Sequence, residues 1–457
     1  MATKITIIGA GPGGYETAVE AAARGIEVTI VSDGPVGGTC LNEGCIPTKS
    51  FCRNAAFIDD LAKAATFGVS ELDYKFDFSK VLERKNAVVE QLRGGVEFLL
   101  GQKLITLVRG KASLKDAHTV VVDGVEYSSD YIIVATGSES ASLPIPGAEL
   151  PGVITSREIL DIPAVPESLC VIGGGVIGLE FASIFRSFGS EVTVVEFCRD
   201  ILPRFDSDIA KRLKQSLSKR GISINTSAQV TGISQDGDKL VVSYLQKDKE
   251  FSVRADKVLM AVGRRPALGS LDFDAIGIEY DRRGVKVNGF MQTSVPSIYA
   301  IGDITGGMML AHAATFQGFR ALHHILAGQP SSGKVDDIRL DVVPAAVFTS
   351  PEAAMVGLTE AECEASGIAV RCLKSFFRAN GKAVSMDETD GFVKLVVSEG
   401  DGRILGCHMF GPHSADIIQE VTALICREAT VDDFRAIIHA HPTLGEVLQA
   451  AVMSDKG

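Results

Sequence analysis

A strand, a glycine-rich turn and a helix occur in the same order twice in this chain, and that duplication restricts the fold more than any other feature. In the first copy, Lys4–Ile8 reads as a buried strand, Gly9-Ala10-Gly11-Pro12-Gly13-Gly14 as the turn, Tyr15–Ala23 as an alanine-rich helix and Ile26–Val31 as the next strand. Each glycine has a separate task. Gly9 makes the tight turn, Gly11 lets a pyrophosphate approach the backbone, and Gly14 lets the helix pack on the strand. The pyrophosphate then rests on the positive N-terminus of the helix. A lone G-x-G-x-x-G string is weak evidence; between a strand and a helix it is strong.

The second copy runs through the strand Leu169–Ile172, the turn Gly173-Gly174-Gly175-Val176-Ile177-Gly178, the helix Leu179–Phe188 and the strand Glu191–Val195. Gly173, Gly175 and Gly178 repeat the roles of Gly9, Gly11 and Gly14. Glu196 follows 18 residues after Gly178 (196 − 178), where a carboxylate accepts hydrogen bonds from an adenosine ribose and repels a 2′-phosphate. This copy therefore reads as an NAD site. The plainer alternative is a solvated acid at a strand end. The same count from Gly14 lands on Ser32, with Asp33 next, so Asp33 would have to reach the ribose from an altered turn. Two sites with different strand ends suggest two different dinucleotides. The expected fold class is α/β, with two Rossmann-like dinucleotide-binding domains.

At 457 residues the chain exceeds one ordinary core, so two to four domains are expected. Hydrophobic residues at 46% and charged residues at 22% describe a packed, soluble protein. No apolar run approaches the roughly 18–20 residues that span a bilayer, and residues 1–3 lead directly into the first strand; the expectation is a cytoplasmic protein. A net charge of −12 argues against nucleic acid as a partner, since that binding depends on neutralising phosphates. Its plainer meaning is solubility. Of nine cysteines, Cys52, Cys170, Cys198, Cys363, Cys372, Cys407 and Cys426 are scattered singly. No metal-type pairing of cysteines appears, so no metal site is expected, and a reducing compartment would keep these as thiols.

The exceptions are Cys40 and Cys45, within Gly37-Gly38-Thr39-Cys40-Leu41-Asn42-Glu43-Gly44-Cys45-Ile46-Pro47-Thr48-Lys49. Residues five apart are not neighbours on a regular helix, so bridging them needs a distorted turn, for which Gly44 supplies the freedom. A disulfide in strained local geometry is easily reduced, as a catalytic one must be. Spacing alone equally allows two unrelated buried thiols.

This segment resembles the active-site signature of the pyridine nucleotide-disulfide oxidoreductases, a family that includes lipoamide dehydrogenases, glutathione reductases and mercuric reductases. The resemblance extends along the chain, through Tyr131–Ser138 (Y-I-I-V-A-T-G-S), Gly263-Arg264-Arg265-Pro266, Ile298–Asp303 (I-Y-A-I-G-D), Leu310-Ala311-His312, Pro344–Gly357 and His439–Glu446. It implies an FAD-binding domain in residues 1–142, an NAD-binding domain in 143–266, a central domain completing the FAD site in 267–337 and an α+β dimerisation domain in 338–457. It also implies FAD in the first nucleotide site. Gly38, Thr39, Lys49, Thr136, Gly137 and Asp303 would then line the flavin cofactor, with backbone contacts from Ala112 and Ala311. Val230 and Gly263 would contact NAD, and Glu180 would pair with Lys49. Lys49 lies one helical turn past Cys45, so both can face the flavin. A cation there would stabilise the reduced ring and favour Cys45 as thiolate.

His439-Ala440-His441-Pro442-Thr443-Leu444-Gly445-Glu446 resembles the family's His–Glu dyad. His441 is suited to take a thiol proton near neutral pH, and Glu446 to hold its ring. Thr443-x-x-Glu446 is also a capping-box pattern that would open the last helix for stability alone. His439 is expected to support rather than to act as the base. The resemblance further implies a homodimer, the dyad reaching the disulfide of the opposite subunit.

Within the family the departures discriminate. The tail Leu448–Gly457 has no cysteine, unlike mercuric reductases and large thioredoxin reductases. Glutathione reductases place Arg where this chain has Glu196. The resemblance is therefore strongest to the lipoamide-oxidising branch, which serves 2-oxo acid dehydrogenase and glycine cleavage systems and works on a lipoyl-bearing protein. A glutathione-reductase-like activity on another small disulfide is the alternative. Ser32, and Glu43 between the cysteines, depart from that branch.

Overall fold

The computed structural model describes residues 3–455; residues 1–2, expected to lead into the first strand, and Lys456-Gly457 of the cysteine-free tail lie outside the described residues. The chain forms two compact units. The first gathers the segment up to Ser50, Lys80–Ala141 and Arg264–Leu340.

Its centre is a five-stranded sheet in the order Ile298–Ala300, Tyr131–Val134, Lys4–Ile8, Glu27–Ser32, Ile105–Arg109, every neighbour parallel. A parallel sheet is covered on both faces, which is why these strands are apolar at successive positions. Ile5, Ile7, Ile30 and Ile133 belong to one core, and Ile8, Val31, Ile132 and Val134 to the core on the opposite face. The helix Pro12–Ala23 carries the chain from the central strand to its neighbour. It starts three residues earlier than the alanine pattern suggests, because Pro12 fits the first helical turn, where no N–H is needed. The second strand starts one residue later than expected. Gly25 is left-handed, with φ at 81°, and Ile26 N–H still bonds the Ala21 carbonyl at 3.1 Å, so Ile26 closes the helix before the strand begins.

The second unit comprises Phe51–Ser79, Ser142–Gly263 and the chain from Asp341 onward. Its first sheet repeats the architecture, with parallel strands in the order Ile222–Asn225, Glu191–Val195, Ser168–Ile172, Lys257–Met260, Val153–Ile154. Its other five-stranded sheet is antiparallel, in the order Ala345–Val347, Glu352–Gly357, Ile404–Gly411, Phe392–Ser398, Val370–Phe376. The helices Ser414–Cys426 and Glu446–Met453 contribute Ile418, Val421, Val447, Leu448 and Ala451 to the same core as that sheet's Val393, Leu395 and Met409. The α/β class, with two Rossmann-like units and a C-terminal α+β region, is as expected.

The glycine turns carry a steric test. A Cβ on Gly14 would lie 1.9 Å from the Gly9 carbonyl oxygen, so Gly14→Ala has to move the helix off the strand. It is expected to lower stability by about 1–3 kcal/mol in urea unfolding. Gly94 lies in the exposed helix Phe78–Leu100 with open space around its Cβ position. Gly94→Ala is expected to raise stability by about 0.5–1 kcal/mol in the same measurement.

Candidate active site

The first glycine turn sits where the sequence put it. Gly9 has φ at 110° and donates its N–H to the Val31 carbonyl at 2.8 Å, locking the turn against the second strand. Gly11 caps the helix that follows. A second helix, Ala311–Leu326, lies beside it at contact distance. A Cβ on Gly13 would be 3.1 Å from the Ala314 Cβ, and one on Gly318 would be 1.8 Å from Thr17 Oγ1. The pairs 13 with 314 and 17 with 318 run in the same direction, so the two helices are parallel and their N-termini lie side by side. Two positive helix ends together form a stronger seat for a pyrophosphate than either alone. The sequence signalled Ala311 only through the resemblance; it gave no sign of the pairing.

Around this seat, Asp303 lies in the short turn Gly302–Thr305. Its Oδ2 accepts the Ser138 hydroxyl at 2.5 Å, and Arg264 donates to Ser138 Oγ and to its carbonyl, both at 2.7 Å. Gly302 N–H is held by Gln317 Oε1 at 2.7 Å. The resemblance marked Asp303 as a cofactor residue and Arg264 and Ser138 as landmarks, but the sequence gives no sign of the Arg264–Ser138–Asp303 chain that joins them. Gly137 is left-handed, and Ala112 opens the strand Ala112–Leu114. Among the described residues, the buried Thr136 Oγ1 has no hydrogen-bond partner. An unmatched buried hydroxyl on the residue packed against Gly9, with two helix N-termini side by side and an immobilised carboxylate at Asp303, fits a bound dinucleotide. Ser32 ends the second strand and turns its hydroxyl onto the Gly34 carbonyl at 2.9 Å, while Asp33 is exposed.

The cysteine segment forms two helices. Gly38–Glu43 ends at Gly44, whose φ of −142° and ψ of −105° break the helix, and Cys45–Ala62 follows. Gly38 is left-handed and packs on Gly11: a Cβ there would lie 2.7 Å from the Gly11 Cα. Thr39 sits in the first of these helices, exposed. Asn42 Nδ2 bonds the carbonyls of Val36 and Gly38, both at 2.9 Å, and Thr48 Oγ1 bonds that of Gly44 at 2.6 Å. The break brings Cys40 and Cys45 together as thiols in hydrogen-bond contact. The hydrogen bond with Cys45, then burial, push the Cys40 thiol well above the usual range, while the Lys49 ammonium pulls the other way. Cys45 is exposed and begins a helix, where the dipole favours a thiolate. Lys49 lies one turn further along, half-buried.

The second nucleotide turn repeats the first. Gly173 has φ at 113° and a Cβ on Gly178 would lie 2.0 Å from the Gly173 carbonyl. Gly175 caps the helix Val176–Ser187 with open space at its Cβ position. Glu196 is buried at the strand end, its carboxylate accepting the N–H of Gly174 and, at 2.6 Å, that of Cys198. The acid is thus built into the turn, not solvated. Gly263 is left-handed with open space around it, and Val230 is buried in the strand Ala228–Asp236. These features fit a second dinucleotide. Glu180, on the same helix, is buried and accepts the Phe348 N–H at 3.0 Å.

His441 Nδ1–H donates to Glu446 Oε1 at 2.8 Å, and Glu446 Oε2 accepts the Thr443 N–H at 2.7 Å. The expected capping box is only half formed. The Thr443 hydroxyl donates instead to the Ala440 carbonyl, and the helix begins at Glu446 with Gly445 as its cap. Glu446 is therefore the first helical residue and is free to hold the imidazole. His441 is 79% exposed. His439 is buried against Glu420, with Nε2 2.9 Å from Oε1, a supporting position.

The Thr443 N–H, then His441, hold the Glu446 carboxyl below the ordinary glutamate value of 4.5. A depressed carboxylate stabilises the fold fully above its unfolded value, and that contribution is lost as pH falls through the lower folded value. The stability difference between the protein and Glu446→Gln, followed by chemical denaturation, is expected to be constant from pH 7 to about 5 and to close only below that. A gap that closes between pH 7 and 6 would contradict this assignment.

Residues 3–318 match the family described as pyridine nucleotide-disulphide oxidoreductase, and residues 343–452 match its dimerisation domain. A dihydrolipoyl dehydrogenase of Geobacillus stearothermophilus is 40% identical over 460 aligned positions, covering 98% of this chain and 95% of the relative. One from Bacillus subtilis (strain 168) is 37% identical over 460 positions, covering 99% and 98%. Among solved structures, LpdA from Mycobacterium tuberculosis superposes with a TM-score of 0.90 at 28% identity, over 99% of both chains. The HOCl-induced flavoprotein disulfide reductase RclA from Escherichia coli does so with a TM-score of 0.87 at 31% identity, over 99% of this chain and 100% of that one. With both nucleotide turns, the cysteine pair and the C-terminal domain in family order, the chain belongs to the pyridine nucleotide-disulphide oxidoreductase family.

Proposed function

We propose that this protein is a dihydrolipoyl dehydrogenase, which oxidises protein-bound dihydrolipoamide to lipoamide with NAD⁺ as acceptor, using FAD and the Cys40–Cys45 pair. The observation that carries the reading is the pair of thiols, Cys40 and Cys45, brought into hydrogen-bond contact at a helix break. It is supported by near full-length similarity to dihydrolipoyl dehydrogenases and by Glu196 at the second nucleotide turn. On this reading residues 1–142 and 267–337 hold FAD, 143–266 hold NAD, and 338–457 pair two copies into a homodimer. The partner is a lipoyl-bearing protein of a 2-oxo acid dehydrogenase or glycine cleavage system, in the cytoplasm. Among the described residues no helix is long and apolar enough to cross a membrane.

The residues divide the work. His441, supplied by the second copy and held by Glu446, takes the proton of a substrate thiol. The resulting thiolate attacks Cys40 Sγ in the disulfide form, and the Cys40–Cys45 bond breaks with its electron pair on Cys45. The second substrate thiolate then attacks the substrate sulfur bonded to Cys40, releasing lipoamide and leaving both cysteines reduced. Cys40 leaves as a thiolate and takes up the proton released by the second substrate thiol, its thiol form being favoured by the Cys45 hydrogen bond and by burial. Cys45, at the helix N-terminus and one turn before Lys49, remains the thiolate that would hand on the electron pair. FAD, which the turn Gly9–Gly14 with Gly38 and Asp303 would hold, would supply the two-electron transfer that links the cysteine pair to NAD⁺. Glu196 selects NAD over NADP, because its carboxylate would face a 2′-phosphate.

Steady-state assays with each nucleotide and disulfide test this reading. NADH with lipoamide is expected to exceed NADPH with glutathione disulfide by at least about 10³ in kcat/KM; the reverse order would replace it with a glutathione-reductase-like activity. Cys45→Ser is expected to abolish lipoamide turnover while NADH reduction of a one-electron acceptor such as ferricyanide persists. Glu446→Gln is expected to lower lipoamide turnover by about 10²-fold and to leave the ferricyanide reaction unchanged.

A further inference from the structure

Lys394 sits in the middle of the strand Phe392–Ser398 of the C-terminal sheet and is 2% exposed. An ammonium this deep survives only among counter-charges. Its Nζ lies 2.6 Å from Glu360 Oε2, 2.9 Å from Asp206 Oδ2 and 3.3 Å from Asp208 Oδ2. Lys374 adds a second ammonium 2.8 Å from Asp208, and His408 lies opposite Lys394 in the sheet register. The carboxylates outweigh the effect of burial and hold Lys394 protonated.

Asp206 is itself 4% exposed and has two duties. Its Oδ1 caps the helix Ser207–Lys219 by accepting the Asp208 N–H at 2.9 Å, and its Oδ2 takes the Lys394 ammonium. The loop between Glu196 and Asp206 returns to the second glycine turn. Leu202 N–H donates to the Gly174 carbonyl at 3.0 Å, while the Gly174 N–H is held by Glu196. Both polar groups of one turn residue are thus fixed by a single loop. Leu202 is buried and left-handed, with φ at 47°, a conformation a leucine keeps only where its surroundings enforce it. One end of the loop is fixed by the strand Glu191–Val195, and the other by Asp206.

We infer that Lys394 is a positioning residue for nucleotide binding: by anchoring Asp206 it holds Leu202 on Gly174, and so sets the turn that receives the NAD pyrophosphate. This rests on the reading of Gly173–Gly178 as the NAD turn. It gives the C-terminal sheet a role in nucleotide affinity in addition to the pairing of copies. An ion cluster that served stability alone would affect both substrates equally or neither.

The test uses the FAD-loaded enzyme. Lys394→Met removes the charge at similar volume. Calorimetric Kd values for NAD⁺ and for ADP-ribose are expected to rise about tenfold, while KM for dihydrolipoamide stays within about twofold. Asp206→Asn retains a capping oxygen but loses the ionic arm; its Kd is expected to rise in the same direction, and it decides the matter if Lys394→Met does not fold. Unchanged nucleotide Kd in the variants that fold, or equal losses for nucleotide and thiol, would overturn the inference. If the wild-type enzyme binds NADPH in place of NAD⁺, the proposed nucleotide is wrong, yet the same variants read the clamp through NADPH affinity. Binding of neither nucleotide would overturn both.

Discussion

A steric contact no side chain could survive places the helices on which both nucleotide sites depend. The last glycines of the two glycine turns, Gly14 and Gly178, bring their backbones so close to the Gly9 and Gly173 carbonyls that a methyl group would overlap the oxygen. That approach fixes the tilt of each helix on its strand and aims the unpaired first-turn N–H groups beyond the sheet. The apolar faces of the sheets drive collapse, but many packings of Ile and Val would satisfy them. Only the glycine contact selects the one that presents a helix end to a phosphate. The same device recurs between helices, where Gly13 against Ala314 and Gly318 against Thr17 set two N-termini side by side.

The cysteine pair shows how the fold makes two identical groups unequal. Gly44 separates two helices, so Cys40 lies within one and Cys45 opens the next. The Cys45 hydrogen bond and burial work against ionisation of Cys40, more than the Lys49 ammonium offsets, whereas a helix start favours it at Cys45. Asn42 ties the first helix back to Val36 and Gly38, so the break cannot relax by unwinding. The asymmetry is built from backbone geometry. It gives electron flow through a symmetric bond a direction.

Features whose physics is local were legible from the residues alone. The glycine turns, the acid at Glu196 and the break at Gly44 each follow from a few consecutive positions, and the structure holds them there. Element boundaries shifted where a cap decided them, as with Ile26 closing a helix and Gly445 displacing Thr443 as a cap. The Arg264–Ser138–Asp303 chain joins residues more than a hundred positions apart, and no periodicity announces it. Lys394 was the least legible of all: within an apolar run a lysine reads as an outward-facing residue, and its three carboxylates come from two distant stretches, Asp206–Asp208 and Glu360.

The dyad completes the logic of a divided site. Glu446 is committed on both oxygens, to the Thr443 N–H and to His441, so the imidazole is oriented before any substrate arrives. Yet in a single chain His441 is 79% exposed, and a hydrogen bond that open to water is weak and easily exchanged. Ile438, three residues earlier, is 94% exposed, an apolar side chain without cover on the same segment. On the proposed reading, pairing of two copies through the dimerisation domain would resolve both at once. Covering Ile438 removes apolar surface from water, and the same cover lowers the dielectric around the His441–Glu446 pair, which strengthens it. On the proposed reading, assembly of two copies and completion of the base are one event, to which covering Ile438, three residues from His441, would contribute.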